Sequence, residues 1–540
     1  MIFQNSISQV HKKSVRDCWT SCCQPPPPVT SGYVPLNFER RDFLKLAAGG
    51  LLASAAAAGA SAEVPGPDPF DADRLLAMAR SLAKRPYKAI PGDLIAPFNN
   101  LPYDDYVAIR RKPDGLAWNG EGLGFVIEPL HRGFLFGPPM QIHIVENGLS
   151  QRLVYDQGKY DFGKLVPPPG NADIGFSGFR VLQPVEGGGL AEIAIFQGAS
   201  FYRAQARNQN FGTMARALSI RTADPRGEEF PMIRAVWIEK PTLAAGLLVI
   251  HALIDSESIA GAYRFTLRTG EAAIVDTECT LFARTEVDHF GLGGMTATYL
   301  FGPIDRRRSE DLRPGVYEVN GLQMLNGKGE WIWRPIANRE TLQTSSFLDN
   351  NPKGFGLLQR DRDYSRFADD DQHWERRPSL WIEPIGDWGE GMVQLLEIPS
   401  DSEVNDNIIA YWRPKNVLAA GSETAFAYRQ FWCWTPPESS GLASVSESRG
   451  GRTAGKRRRF VVNFTGDILA DPQRAGDVKP KISAAPGTIA SLRTFMARDS
   501  KTVRVMFDIE PASENYCEIR LILESQGKPL SETWLYRWTP

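Results

Sequence analysis

The sequence predicts an all-β protein with a large N-terminal β-sandwich and a small C-terminal β-sandwich. Short runs rich in β-branched and aromatic residues, separated by turns, recur along most of the chain. The 540 residues include 49 glycines and 39 prolines, which favours a turn-rich fold. No long amphipathic helices alternate with the predicted strands, so a doubly wound α/β fold is disfavoured.

The chain is expected to divide into a leader and two domains, because 540 residues exceed one ordinary domain. Residues 1–62 form the leader, residues 63–412 the larger domain and residues 413–540 the smaller one. Beyond residues 413–422, roughly 125 residues carry short strands in the pattern of an immunoglobulin-like sandwich. Residues 439–459 are rich in Gly, Ser and Arg, which predicts a mobile loop.

The leader resembles a twin-arginine export signal. Arg40 and Arg41 precede a Phe-Leu-Lys sequence and a mild apolar run, and Ala60-Ser61-Ala62 supplies a cleavage site. Glu39 stands where such signals usually carry Ser or Thr. We therefore expect the twin-arginine translocon as an export partner, a mature chain beginning at Glu63, and a periplasmic location. No later apolar run approaches about 18 residues, so we expect the mature chain to be soluble.

Two helices are predicted before the strands begin. Residues 72–84 form the first, with Asp71 as its cap and Phe70 packing on Leu75. Residues 103–111 form a second short helix. The predicted strands of the larger domain lie at residues 123–128, 141–145, 191–196, 235–238, 247–253, 263–267, 278–284 and 392–398. Those of the smaller domain lie at residues 424–434, 459–464, 503–509, 517–524 and 533–538.

Composition excludes several functions. The formal net charge of −2 gives no basic surface, so nucleic acid is not expected as a partner. No paired CxxC motifs or histidine clusters are present, so neither a metal site nor a cofactor is expected. Cys279, Cys433 and Cys517 are expected to be buried thiols, with one disulfide among them as the alternative.

The densest stretch, residues 349–413, alternates carboxylates, guanidiniums and indoles. Such a mixture suits a groove that stacks aromatic rings on sugars, or equally a solvated loop with structural ion pairs. Glycoside cleavage needs two carboxyl groups, one acid and one base or nucleophile. Asp406, between two asparagines where a loop enters a strand, is a candidate, although a turn-forming aspartate is equally compatible with that position.

Several segments resemble the family of periplasmic glucans biosynthesis proteins G and D. The matching segments are residues 173–180, 197–204, 255–263, 349–356, 377–384, 405–408 and 531–536. The resemblance covers essentially the whole mature chain, and the leader favours the D type. It implies a mutarotase-like N-terminal sandwich joined to an immunoglobulin-like domain. It also implies β-1,2-glucan as the partner, and inverting endo-glucanase or transglycosylase activity.

The family's catalytic pair consists of two aspartates. One lies in the motif matched by residues 405–408, so the resemblance gives that role to Asp406. The other lies in a segment typically reading Val-His-Asp-Ser-Asp-Gly-Leu, matched here by residues 316–322. Glu318 stands in for that aspartate, and Tyr317 replaces the histidine. An enzyme with a shifted geometry and a non-catalytic glucan-binding protein therefore both remain open; a mutarotase is a weaker idea from fold analogy.

Residues of the dense stretch are expected to line the groove. They are Trp374, Trp381, Tyr364, Arg360, Arg362, Arg377 and Asp349. A homodimer is a candidate assembly.

Overall fold

The computed structural model describes residues 66–242, 246–306, 310–453, 455–512 and 516–539. The leader lies outside the described residues, and with it the twin-arginine signal, its cleavage site and the first three cysteines. The described residues contain no helix that is both long and apolar enough to span a bilayer.

The helices are few and short. They are α1 (Ala72–Ala83), α2 (Tyr103–Ala108) and α3 (Pro472–Ala475), with 3-10 turns at Phe98–Asn100, Pro113–Gly115, Gln157–Lys159, Tyr364–Arg366, Trp374–Arg376 and Asp467–Leu469. The prediction for α1 is confirmed: Asp71 accepts a hydrogen bond from the Arg74 amide at 2.8 Å, and Phe70 and Leu75 are buried. The second helix is shorter than predicted, because residues 110–111 pair as a strand.

Strands make up most of the rest. In chain order they are β1 (Asp68–Pro69), β2 (Arg110–Arg111), β3 (Val126–Leu130), β4 (Gln141–Glu146), β5 (Leu149–Arg152), β6 (Tyr160–Asp161), β7 (Gly178–Pro184), β8 (Leu190–Gln197), β9 (Phe201–Ala204), β10 (Met214–Arg216), β11 (Ser219–Ile220), β12 (Met232–Glu239), β13 (Leu247–Asp255), β14 (Ile259–Arg268), β15 (Ala273–Ala283), β16 (Phe290–Ala297) and β17 (Tyr299–Phe301). There follow β18 (Val316–Tyr317), β19 (Gly321–Leu325), β20 (Trp331–Pro335), β21 (Gln343–Asn350), β22 (Gly354–Leu358), β23 (Ser379–Ile385), β24 (Glu390–Glu397), β25 (Ile408–Pro414), β26 (Glu423–Cys433), β27 (Ser444–Arg452), β28 (Arg458–Thr465), β29 (Lys479–Ala485), β30 (Gly487–Met496), β31 (Thr502–Pro511), β32 (Cys517–Ser525), β33 (Lys528–Pro529) and β34 (Thr533–Trp538).

Three larger sheets organise these strands. The first has sixteen strands in the order β1-β5-β4-β12-β13-β14-β15-β26-β23-β22-β19-β20-β34-β32-β29, with β33 beside β32. The second has ten, in the order β21-β24-β25-β16-β10-β9-β8-β7-β3, with β11 beside β16. The third has four, β27-β28-β31-β30. Nearly all pairings are antiparallel, which confirms the predicted all-β, sandwich-type architecture.

The larger core lies between the sixteen-stranded and ten-stranded sheets. Tyr202 of β9 contacts Phe265 of β14 and Trp432 of β26, with ring centroids 5.1 and 5.9 Å apart. All three side chains are buried within one apolar cluster. Such face-to-face packing of two sheets, filled by inward side chains, defines a β-sandwich.

A second core fills the C-terminal sandwich. Phe460 of β28 and Phe507 of β31 stack at 5.5 Å, and both contact Trp534 of β34. Because β34 pairs in parallel with β20, the C-terminal strands extend the large sheet of the first sandwich. The two sandwiches are thus joined by backbone hydrogen bonds as well as by side chains.

The expected boundary after residue 412 divides strands that belong together. Strand β26 pairs with β15 on one side and with β23 on the other, and it contributes Trp432 to the larger core. The same strand also reaches the second core, because Phe431 and Cys433 of β26 pack there beside Trp381. The loop expected at residues 439–459 is also corrected: β27 and β28 form a paired hairpin across most of it.

The remaining cysteines follow the expectation. Cys279, Cys433 and Cys517 are all free and buried. Each lies on a different strand and packs in a core as a small apolar side chain.

A buried carboxylate joins the two sandwiches. Glu532 accepts hydrogen bonds from both terminal nitrogens of Arg360, at 2.6 and 3.0 Å, and from the Val445 amide at 2.6 Å. Glu532 is 2% exposed, and the Arg360 guanidinium lies 3.6 Å from the ring centroid of Trp333. Both charges are therefore held by fixed partners at the junction.

Replacing Glu532 by Gln should lower the free energy of unfolding by about 3 kcal/mol, because it leaves the Arg360 charge buried without its counterion. Denaturant unfolding followed by tryptophan fluorescence measures this loss. Glu390→Gln is the matched control, since Glu390 pairs with Lys415 on the surface and should change stability little. Equal losses in the two variants would contradict a structural role for the Glu532 contact.

Candidate functional site

The two candidate catalytic carboxyl groups meet where two strand pairs end. Strand β16 pairs with β25, and β17 pairs with β18. Thr298 connects β16 to β17, Glu318 is the first residue after β18, and Asp406 comes two residues before β25. The antiparallel pairing therefore brings Glu318 and Asp406, 88 positions apart in the sequence, to either side of Thr298.

Thr298 contacts both carboxyl groups, which we call the carboxyl pair. Its amide donates to Glu318 Oε2 at 3.3 Å, and its hydroxyl is shared between the Asn405 carbonyl at 3.1 Å and Asp406 Oδ1 at 3.4 Å. The Thr296 hydroxyl donates to Asp406 Oδ2 at 3.3 Å. Since three bonds separate the nitrogen and hydroxyl of a threonine, the carboxyl pair lies within about 10 Å. An inverting glycosidase requires roughly 6.5–9.5 Å.

The two asparagines around Asp406 fix the loop. The Asn407 side chain accepts from the Tyr299 amide at 2.8 Å and donates to the Tyr299 carbonyl at 2.9 Å. These two hydrogen bonds take the place of a backbone pairing with Tyr299. Asn407 is buried, with 3% of its surface exposed. Asn405 donates from its side chain to Ser400 Oγ at 3.0 Å. The position of Asp406 is set by these contacts on both sides.

The surroundings of the carboxyl pair disfavour two full negative charges. Burial raises the pKa of Glu318 to about 7; the charge of Asp406 adds to this rise, and Arg377 opposes it. Glu318 is 8% exposed, and Arg377 Nη1 lies 3.9 Å from its Oε1. Burial also raises the pKa of Asp406, chiefly against the influence of Arg203. Near neutral pH, the carboxyl pair is therefore poised to hold one proton.

Two arginines face the carboxyl pair. Arg377 is held in place: it donates to the Phe211 carbonyl and to Gln372 Oε1 at 2.8 Å, and its guanidinium lies 5.1 Å from the Trp374 ring centroid. The guanidinium of Arg203, on β9, lies 5.2 Å from the ring centroid of Phe211. Among the described residues, the Arg203 side chain makes no hydrogen bond or salt bridge. The Arg203 guanidinium is therefore available to a ligand.

Three of the predicted groove residues lie at or directly behind the site. Arg377 contacts Glu318. The Trp374 indole is buried and donates to Asp369 at 2.9 Å, so it supports Arg377 rather than offering a face to a sugar. Arg362 donates to the Arg377 carbonyl at 2.5 Å and holds the backbone of this turn.

The other four predicted groove residues have structural partners elsewhere. Trp381 is 1% exposed and stacks on Trp331 in the second core. Arg360 binds Glu532 at the junction of the sandwiches. Asp349 accepts from the amides of Gly327 and Asn350, at 2.9 and 2.8 Å.

Tyr364 is 42% exposed and donates to Asp370 at 2.7 Å. The burial of Trp381 corrects the expectation that it lines an open groove, whereas for the exposed Tyr364 that expectation stays a prediction. For most of the dense stretch, the alternative of structural ion pairs describes the contacts.

Thr296, Thr298 and Arg203 were missed by the sequence analysis. The threonines lie at the end of a strand of small residues and carry no sequence signal of their own. Arg203 is the one charged residue of β9, between buried Tyr202 and Ala204, and that position was a usable signal. No group of three or more His, Cys, Asp or Glu side chains in the described ranges could hold a metal ion.

Replacing Glu318 by Gln should stabilise the protein relative to the wild type, and more at pH 8 than at pH 4. The pKa of Glu318 is about 7 in the folded protein, against about 4.3 in an unfolded chain. Over that interval the folded state retains a proton that the unfolded chain releases, so this group's contribution to stability falls as pH rises. Glutamine does not ionise and escapes this loss.

Unfolding free energies of both proteins in pH steps measure the difference. It should grow between pH of about 4 and about 7 and then level off. Glu390→Gln is the control, because Lys415 lowers the pKa of Glu390 and its difference should not grow. A difference that stays flat for Glu318→Gln would mean that Glu318 ionises normally.

Comparison with known proteins identifies the family. The sequence model of the family described as "Periplasmic glucan biosynthesis protein, MdoG" matches residues 70–538. Glucans biosynthesis protein G of Vibrio cholerae is 41% identical over 476 residues, covering 87% of each chain. The protein of that name from Rhodopseudomonas palustris is 42% identical over 502 residues, covering 93% of this chain and 99% of the relative. The D type, expected from the leader, stays a prediction. The chain belongs to the periplasmic glucan biosynthesis protein family and is a periplasmic protein.

Proposed function

We propose that this protein acts on linear β-1,2-glucan, cleaving internal linkages with inversion or transferring glucan chains. The proposal rests on the carboxyl pair: two largely buried carboxyl groups, with raised pKa values, held on either side of one threonine. The choice of β-1,2-glucan comes from the family resemblance; the geometry of the pair supports the reaction class.

The carboxyl pair meets the needs of inverting cleavage. One member must carry a proton for the leaving glycosidic oxygen. The other must be ionised to take a proton from the attacking water, or from a sugar hydroxyl when a chain is transferred. A pair that holds one proton near neutral pH is in this state, because each negative charge raises the cost of the second.

Arg203 supplies a free cation beside Asp406. Its influence opposes the rise in the pKa of Asp406, so it favours the ionised form of that member. Its guanidinium donors have no protein partner among the described residues, and they can bind glucan hydroxyls. The guanidinium lies 5.2 Å from the ring centroid of Phe211, which helps to orient it.

In an assay with linear β-1,2-glucan, the protein spanning residues 63–540 should produce shortened or rearranged chains, separable by size. Asp406→Asn and Glu318→Gln should each lower kcat/KM by about 10²- to 10⁴-fold, the usual contribution of a general acid or base. The wild-type kcat/KM should fall above a pH of about 7, because Glu318 then loses its proton. Circular dichroism of each variant checks the fold.

Other outcomes separate the alternatives. Glucan binding without new products would support the non-catalytic binding protein. Activity that survives Glu318→Gln would place the second catalytic group elsewhere. Glu390→Gln serves as the control for removal of one carboxylate on the surface, and it should leave the products unchanged.

Glu318→Asp should lower activity, although aspartate is the residue that the family resemblance places here. The Glu318 carboxylate reaches the Thr298 amide at 3.3 Å, and a side chain shorter by one methylene loses that contact. Displacement by about 1 Å at a catalytic centre can cost about 10²-fold in rate. The kcat of Glu318→Asp and of the wild type on the same glucan measure this cost. Higher activity in Glu318→Asp would instead mean that glutamate impairs the site.

A further inference from the structure

A cavity lies between the two sandwiches, away from the carboxyl pair. Its volume is about 460 Å³, and Phe460, Tyr536 and Trp538 form an aromatic wall. Its charged lining consists of Arg306, Arg339, Arg452, Arg458, Asp305 and Glu340. Among the described lining residues, four guanidinium groups against two carboxylates leave an excess of two positive charges. We call this space the interdomain cavity.

Two arginines of the cavity lie opposite each other on paired strands, and neither has an acidic partner among the described residues. Arg452 of β27 is the cross-strand neighbour of Arg458 of β28. Neither makes a salt bridge with any described residue; Arg458 donates only to carbonyl oxygens, and its guanidinium lies 5.2 Å from the Trp538 ring centroid. Partial burial, and then the charge of Arg452, lower the pKa of Arg458. Like charges in such a pair are destabilising unless something lies between them.

The opposite wall contributes a buried, incompletely bonded guanidinium. Arg339 is 7% exposed, and its Nε is buried without a hydrogen-bond partner. Its other nitrogens donate to Asp305 Oδ1 at 3.3 Å and to the Tyr536 hydroxyl. Asp305 also accepts from the Asn338 amide at 3.0 Å. The Arg339 group is thus oriented, and Asp305 is already shared with a second donor.

The hairpin of β27 and β28 approaches the first sandwich with one face only. A Cβ placed on Gly451 would have no neighbour within 4 Å, because Gly451 points to the opposite face of the strand from Gly450 and Arg452. By contrast, a Cβ on Gly450 would approach the Ile304 carbonyl at 3.1 Å. The face of the hairpin that carries Gly450, Arg452 and Arg458 is therefore the one turned towards the first sandwich and the cavity.

We propose that the interdomain cavity binds a phosphate group, either free or carried as a phosphate monoester on a small molecule. A phosphate monoester carries about −1.5 to −2 charges at pH 7, which matches the excess of two positive charges. Planar guanidinium groups approaching from opposite walls fit its oxygens, which accept paired N–H donors. Such an anion would relieve the repulsion between Arg452 and Arg458. The proposal stands whether or not the carboxyl pair cleaves glucan.

Isothermal titration calorimetry tests the proposal on the protein spanning residues 63–540, at constant ionic strength. Inorganic phosphate and glucose 6-phosphate are the two probes, with glucose as the uncharged control. We expect saturable binding of one phosphate group per chain. Stronger binding of glucose 6-phosphate would identify a phosphorylated sugar as the ligand type, and equal or stronger binding of inorganic phosphate would identify the free anion.

The variants distinguish phosphate binding in the cavity from non-specific attraction to positive charge. The double variant Arg452→Gln/Arg458→Gln should bind phosphate at least about tenfold more weakly, because charged hydrogen bonds are lost. Arg457→Gln is the matched control: it lies in the same hairpin, pairs with Glu510 and does not line the cavity, so it should bind as the wild type does.

Absence of saturable phosphate binding to the wild type would overturn the proposal. So would a loss in Arg457→Gln equal to that in the double variant, since binding would then follow net charge alone. Retained binding in the double variant would place the anion elsewhere. Thermal unfolding without phosphate checks that each variant is folded.

Discussion

The site depends on one short connection, the single residue between β16 and β17. Thr298 lies where the chain leaves the ten-stranded sheet and pairs with β18, so its backbone and side chain reach both members of the carboxyl pair. The Glu318 amide in turn donates to the Thr298 carbonyl at 2.9 Å. Two groups from distant parts of the chain are thus positioned by backbone pairing, whose geometry varies less than that of long side chains.

The charged residues of the dense stretch stabilise this arrangement from behind. Arg362 binds the carbonyls of Glu375 and Arg377, and its guanidinium stacks on Trp434 at 4.8 Å. Arg377 then presents its charge to Glu318 from a fixed turn. Buried guanidiniums bound to carbonyl oxygens cost desolvation but orient the backbone, so these arginines make the turn behind the site rigid.

The sequence predicted the fold class better than the contacts. Short strand-like runs and the cap at Asp71 indicated the all-β architecture and the first helix, because these signals are local. The place of β26 was not predictable in this way, since only pairing with β15 and β23 assigns it to the first sandwich. For the site, resemblance identified Asp406 and Glu318. Composition alone could not show that Arg377 lies at the site and Arg360 at the junction, because both arginines occur in the same stretch of charged and aromatic residues.

Glu318 stands where the family resemblance places an aspartate, and its position depends on the contacts of its neighbour Tyr317. Tyr317 is fully buried, donates to Asp361 Oδ2 at 2.8 Å, and its carbonyl accepts from Gln359 Nε2 at 3.2 Å. Asn320 donates to the same Asp361 oxygen at 3.0 Å. These contacts hold the backbone on both sides of Glu318.

With the backbone fixed, the position of the carboxylate depends on side-chain length alone. The extra methylene of glutamate is what carries it to the Thr298 amide and to within 3.9 Å of Arg377. Inside a buried site an unpaired charge is costly, and Arg377 and the Thr298 amide are groups that stabilise the ionised form of Glu318. The contacts of Glu318 are therefore those of a carboxyl group whose ionisation the protein controls.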